Sequence, residues 1–260
     1  MSHKRTTAGT DQHRIPAAII GRFGRRKPGK PRREAAVRVT SLADGSSRTT
    51  KAEKLAFDFA AYDYTDGRSL DDRWDGTEQR LADAIALFEK LDLAAPVLSG
   101  EHLTAGRILN DYVIEMLVRS RNFDLQASHH GLDRDQTQDR RAETLDELRR
   151  DLAAGTHDLL VLVRRSERAG RLVLNDLGYV QLAHAEHGYL APLGANIAVF
   201  LSTRRRHPDP SLEVGELDSY IPETRRAAVH AQGDRAELHP AELYSHPDDD
   251  LRDVLEPGSR

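Results

Sequence analysis

The sequence predicts a single α/β domain, and three observations carry that expectation. Amphipathic stripes at helical spacing recur through the middle of the chain, short β-prone apolar runs follow them, and 260 residues suffice to bury one large core.

Composition sets the outer bounds. Apolar residues make up 38% of the chain, charged residues 31% and aromatic residues 5%. That is lean for a chain packed from end to end, so both ends are expected to be tail or loop. The absence of cysteine excludes disulfides and thiolate metal sites and fits a reducing compartment. No apolar run approaches the ~18 residues of a membrane span, and the N-terminus lacks a signal-peptide core. A soluble cytoplasmic protein with no membrane partner is the expectation.

The ends carry opposite charge. From Met1 to Arg38, eleven Lys and Arg stand against two acids, Asp11 and Glu34, and Arg25, Arg26, Lys27, Lys30, Arg32 and Arg33 form the densest run. Residues 1–50 are therefore expected to be a basic, largely disordered arm. Such an arm either follows the phosphates of DNA by counterion release or is a solvated tail. Residues 238–260 hold Asp248, Asp249, Asp250, Asp253 and Glu256 with three prolines, and predict an acidic, frayed tail. The core is then residues 51–237.

Ser46 to Thr50 is a polar linker leading into that core, where Phe57, Phe59, Tyr62 and Tyr64 pack a loop against the domain. Leu81, Ile85 and Phe88 place a helix over 77–90. Pro96 to Gly100 suggests a short strand entering a turn. Ile108, Tyr112 and Met116 with Leu109, Val113 and Leu117 place a second helix over 104–119. Residues 127–141 read as a polar surface loop. Its Asp133, Asp135, Thr137 and Asp139 have the spacing that opens a calcium loop, without the turn glycine or the closing Glu. Leu145, Leu148 and Leu152 mark a third helix over 143–154, stopped by Gly155. Asp158 to Val163 and Arg171 to Leu174, parted by a short Gly-ending loop, read locally as a β-hairpin. A further apolar run, Asn196 to Leu201, ends in Ser202, Thr203 and the triplet Arg204, Arg205 and Arg206.

Candidate chemistry is sparse. Asp176 closes the run Leu172 to Leu174 just before Gly178, either as a carboxylate delivered at a strand end or as part of an ordinary turn. His184, Glu186 and His187 lack the spacing of a zinc-binding helix. The Arg204 to Arg206 triplet either binds phosphate or nucleic acid through guanidinium forks or is a solvated strand end.

Taken in order, these runs resemble the IstB-like helper ATPases of insertion sequences and their DnaC-type helicase-loader relatives, of the AAA+ class. Phe57-Asp58-Phe59 and Ser69-Leu70-Asp71 resemble the family's entry segment. Leu91-Asp92-Leu93 precedes Val97 to Gly100 as the family's helix end precedes its phosphate-loop strand. Leu145 to Gly155 is similar to the helix after the third strand, Leu172 to Leu182 to the strand-Asp-x-Gly-Tyr segment, and Ile197 to Arg206 to the sensor strand and its basic exit. The resemblance implies a three-layer domain with a central, mostly parallel sheet, ATP and Mg²⁺ as cofactors, and a transposase or replicative helicase as protein partner, in an assembly that can be oligomeric. Gly100, Gly106 and Arg107 would face the phosphates, Thr203 would sense the γ-phosphate, and Asp176 would be the metal-binding catalytic acid.

The sequence departs from that pattern in two places. Gly100 to Arg107 has one residue too many, Arg107 for the usual Lys and Ile108 for the metal-binding Ser or Thr, while Glu101 sets a negative charge where phosphates would lie. Leu177 replaces the second acid beside Asp176. The resemblance thus implies a DNA-associated helper in transposition or replication whose ATP binding or hydrolysis is weak or lost. Two other readings stand beside it: an α/β DNA-associated adaptor with no nucleotide site, and a hydrolase built on Asp176 and Glu186.

Overall fold

Apolar residues spaced among the N-terminal cations decide how the chain begins. The computed structural model describes residues 11–153, 158–181, 188–202, 212–229 and 240–255. Strand β1 (Asp11–His13) leads into the short helix α1 (Ala17–Ile20), and this segment buries Ile19 and Ile20 of the helix with Ile15 before it and Phe23 after it. After the basic loop come strands β2 (Ala36–Ser41) and β3 (Ser47–Lys51), an antiparallel pair with Val39 opposite Arg48. Their turn uses Gly45 at φ 70°, and the Asp44 carboxylate accepts the Ser46 N–H at 3.0 Å. Strand β4 (Phe57–Phe59) pairs antiparallel with β1.

The expected disordered arm is therefore corrected from residue 11 onward. Val37 and Val39 are fully buried, and the first strand is tied down by its own polar side chains. Gln12 donates to Asp63 at 2.7 Å and accepts the Tyr62 N–H at 2.7 Å, while Arg119 donates to the His13 carbonyl. Counting charge over the segment hid the apolar positions between the cations.

Helix α2 (Asp75–Glu89) buries Leu81, Ala84, Ile85 and Phe88, the stripe its spacing predicts. Helix α3 (Gly100–Arg119) buries Ala105, Ile108, Leu109, Tyr112, Val113 and Met116. It starts four residues earlier than its apolar stripe, because Ser99 and His102 exchange a cap in which His102 Nδ1 accepts the Ser99 N–H at 3.2 Å. Pro96 to Ser99 form no strand and are exposed.

The expected polar loop at 127–141 is largely helix. Helix α4 (Arg121–His129) is followed by α5 (Arg134–Ala153), and Asp133 caps α5 by accepting the Gln136 N–H at 2.9 Å while Gln136 accepts the Asp133 N–H at 3.0 Å. The calcium-like spacing is thus a helix start, and Asp135 and Asp139 accept from Thr65 and Tyr64. Periodicity placed only the second half of this helix, from 143 on, because the buried face of the first half is polar, with Gln138 and Arg141 ahead of Leu145. Arg141 donates to the Val118 carbonyl at 2.7 Å and to Gln138 at 2.5 Å, and pairs with Asp124.

Strands β5 (Asp158–Val163), β6 (Leu174–Asn175), β7 (Gly188–Gly194), β8 (Ile197–Ser202), β9 (Leu212–Glu216) and β10 (Glu242–Ser245) complete the sheets, with helices α6 (Ile221–Ala227) and α7 (Arg252–Leu255). One four-stranded sheet has the order β3-β2-β10-β6 and is antiparallel throughout. The other has the order β7-β8-β5-β9, in which β9 alone runs parallel to its neighbour. The chain is a mixed α/β protein, as expected, but the central mostly parallel sheet is corrected to mainly antiparallel pairing. Nor do 158–163 and 171–174 form a hairpin: Val161 lies opposite Val199 of β8, and Leu174 lies opposite Tyr244 of β10.

The acidic tail is corrected too. Strand β10 sits between β2 and β6, and Leu243, Tyr244, Leu251 and Val254 join the one core cluster that also holds Ile15. Helix α3 packs against α2 and α5 on its flanks and against β5 and β8. Among the described residues, no helix is long and apolar enough to cross a membrane.

Candidate nucleic-acid interface

The run Gly24 to Ala35 is a closed loop on the sheet β3-β2-β10-β6. At its neck the Arg25 N–H donates to the Ala36 carbonyl at 2.8 Å and the Ala36 N–H returns to the Arg25 carbonyl at 3.0 Å. Close approach of the two limbs demands glycine: a Cβ on Gly21 would run into the Arg32 carbonyl, and one on Gly24 into Ala36. Pro28, Gly29 at φ 73° and Pro31 shape the tip, where the Lys30 N–H donates to the Lys27 carbonyl at 3.1 Å. Residues 32–34 wind into a 3-10 turn. The backbone is fixed, so its cations are held at a set spacing.

Arg25, Arg26, Lys27, Lys30 and Arg33 are exposed and Arg32 is half-buried. Arg32 has its guanidinium pKa lowered, first by burial and then by the charges of Arg22 and Arg26. Cations are therefore crowded enough to feel one another. Their counter-charges are few: Arg22 pairs with Glu89 at 2.5 Å, Glu34 lies 4.0 Å from Lys30 and 3.6 Å from Lys51, and Arg25 lies 3.7 Å from Asp248. Arg26, Lys27 and Arg33 pair with no carboxylate among the described residues. A cluster of this kind binds polyanions, because each phosphate it meets relieves repulsion and releases counterions. Sequence reasoning found these six residues but missed Arg22 and Lys51 as their neighbours. Only the fold brings Lys51 beside Glu34.

The other expected residues are not brought together. Gly100, Gly106 and Arg107 lie in the first turns of α3, and from its second turn on the helix's N–H groups bond within it instead of cradling a phosphate. Gly106 serves packing, since a Cβ there would stand 3.1 Å from the Leu212 side chain, and Arg107 is exposed. Thr203, Arg204, Arg205 and Arg206 lie outside the described residues, as do His184, Glu186 and His187.

Asp176 sits beyond the opposite end of α3. Its carboxylate, 7% exposed, accepts the Ala241 N–H at 2.9 Å and the Glu242 N–H at 3.4 Å, and pairs with Arg121 at 2.6 Å. Burial raises its pKa, against the pull of the Ala241 N–H and of Arg121. Arg121 follows the C-terminal end of α3, and from Gly106 to Arg119 is roughly 20 Å along that helix at ~1.5 Å per residue, so these groups cannot share one nucleotide. The turn reading is the one realised: the Gly178 N–H donates to Asn175 Oδ1 at 3.1 Å, and Gly178 adopts φ 85° with its α-carbon against Met116. Among the described residues, no group of three or more His, Asp or Glu is placed to hold a metal ion.

Compared with known proteins, the chain matches no family model, no curated protein and no solved structure. The resemblance to helper ATPases has no support from those comparisons.

Proposed function

We propose that the protein is a DNA-associated adaptor that grips the phosphate backbone with the loop Gly24 to Ala35. The observation that supports this is the fixed loop with five exposed cations, three of them without a carboxylate partner among the described residues. On a chain of net charge −4 the positive potential is local, so the acidic remainder orients the nucleic acid onto the loop instead of binding it broadly. Phosphate contacts of this kind fix register and carry no base sequence. The ATP-dependent part of the helper reading is not retained, because its phosphate and metal residues stand at opposite ends of α3.

Anisotropy titrations with a 20-bp duplex at several salt concentrations test the proposal. Each phosphate contact adds about −0.9 to the slope of log K against log salt, so five contacts give a slope of about −4.5. Replacing Arg26, Lys27, Lys30 and Arg33 together by Gln should bring it to about −1 and leave the thermal melt nearly unchanged, since all four are exposed. An unchanged slope in that variant would refute the loop as the interface.

A further inference from the structure

A second concave site lies away from the basic loop. It is a cavity of about 680 Å³, within the roughly 300–1,000 Å³ usual for small-molecule sites. Its floor is apolar, with Leu117 and Val118 of α3, Phe123 and Ala127 of α4, Leu148 of α5 and Leu201 of β8. Two tyrosines close one side. The rings of Tyr179 and Tyr189 meet edge to face at 5.4 Å, and Asn122 donates to the Tyr179 hydroxyl at 2.7 Å. That bond fixes the Tyr179 ring in the wall. Asn122 is 4% exposed and its Oδ1 has no partner among the described residues, a buried acceptor left open beside the cavity.

The charge of the lining is one-sided. His130 and Arg140 line the cavity, and no Asp or Glu does among the described residues. Arg140 is about half exposed, and its nearest carboxylates, Glu143 at 3.5 Å and Glu147 at 3.8 Å, are exposed neighbours on its own helix. Ion pairs of that sort hold a guanidinium weakly and leave it able to turn to a ligand. Aromatic walls favour a flat ring system, and a single cation at the rim favours one anionic head.

We infer that this cavity binds a small aromatic carboxylic acid, with the ring system between Phe123, Tyr179 and Tyr189 and the carboxylate at Arg140. The site is independent of the DNA loop. Gly194, whose α-carbon abuts Arg22 at the base of that loop, stands at the far end of β7 from Tyr189, about 17 Å away at ~3.4 Å per strand residue.

Calorimetric titration of the full chain with 2-naphthoate tests the inference, with 2-naphthamide as the neutral isostere. Naphthoate should bind with a sub-millimolar Kd and at least tenfold more tightly than the amide. Arg140→Gln, an exposed change, should weaken naphthoate about tenfold and leave the amide unaffected. Thr144→Trp, at a half-exposed helix position on the cavity wall, should abolish binding of both while circular dichroism and the thermal melt remain as in the parent chain. Amide and acid binding alike would overturn the inference, as would naphthoate binding unchanged in both variants or absent from the parent chain at millimolar concentration. If Thr144→Trp fails to fold, Arg140→Gln against the acid and amide pair still decides the matter.

Discussion

Glu115 is a buried carboxylic acid whose ionisation the fold opposes. It lies on the buried side of α3 at 0% exposure, accepting from the Thr77 hydroxyl at 2.6 Å and from Arg149 at 2.9 Å. Burial outweighs the Thr77 bond and the charges of Arg119 and Arg149, and pushes its pKa up to about 7. The folded protein thus keeps a proton between the ordinary value near 4.5 and about 7 that the unfolded chain has released. Stability must therefore fall as pH rises through that window, by roughly 3 kcal/mol once ionisation is complete. Glu115→Gln keeps an acceptor for Thr77 and has no charge to bury, so it should flatten the dependence. Urea titrations at pH 5 and pH 8 check this, and a variant as pH-sensitive as the parent chain would show that another group is responsible.

At the scale of elements, the turn after β6 shows how an acidic side chain is absorbed by structure. Asp176 joins that turn to the start of β10 through two backbone N–H groups, and to the helical layer through Arg121. Asp176→Ala should cost about 1–3 kcal/mol, because the bonds that Ala241, Glu242 and Arg121 make to this buried carboxylate are then lost. Asp176→Asn should cost less, since its carbonyl oxygen can still accept from Ala241. Denaturant midpoints rank the three proteins, and an alanine variant as stable as the parent would remove Asp176 from this role. Stretches of the sequence failed here for a definable reason. An apolar run ending in Asp-x-Gly looks the same whether its carboxylate faces solvent and metal or its own neighbouring strand. What distinguishes the cases is Ala241, 65 residues away.

For the whole molecule, the charged ends are structural. Removing residues 1–38 takes Ile15, Ile19, Ile20, Phe23 and Val37 out of the core. At about 1.5–3 kcal/mol for each buried side chain, the loss approaches the entire 5–15 kcal/mol stability of a typical domain. Truncation before Glu242 removes the strand that bridges β2 and β6. Both shortened chains should lose the cooperative thermal transition of the full chain in calorimetry. A sharp transition surviving in either would mean that the core closes without that end. For this reason the DNA loop must be probed by substitution and not by deletion.

The sequence alone determined what depends on short-range repetition. The apolar stripes of α2 and α3 are buried where their spacing of three and four residues puts them, the runs at 158–163 and 197–202 are strands, and the cations of 25–33 form one cluster. Only the tertiary structure decided which strands pair and which ends fold in. Leu174 meets Tyr244, and Arg38 donates to the Asp249 carbonyl at 2.6 Å across 211 residues. Helical and strand periods are written into neighbouring residues, but the partner of a strand edge or a charge is not. Closing a long loop costs only slightly more than closing a shorter one, so distant partners compete nearly evenly with local ones, and burial in the common core selects among them.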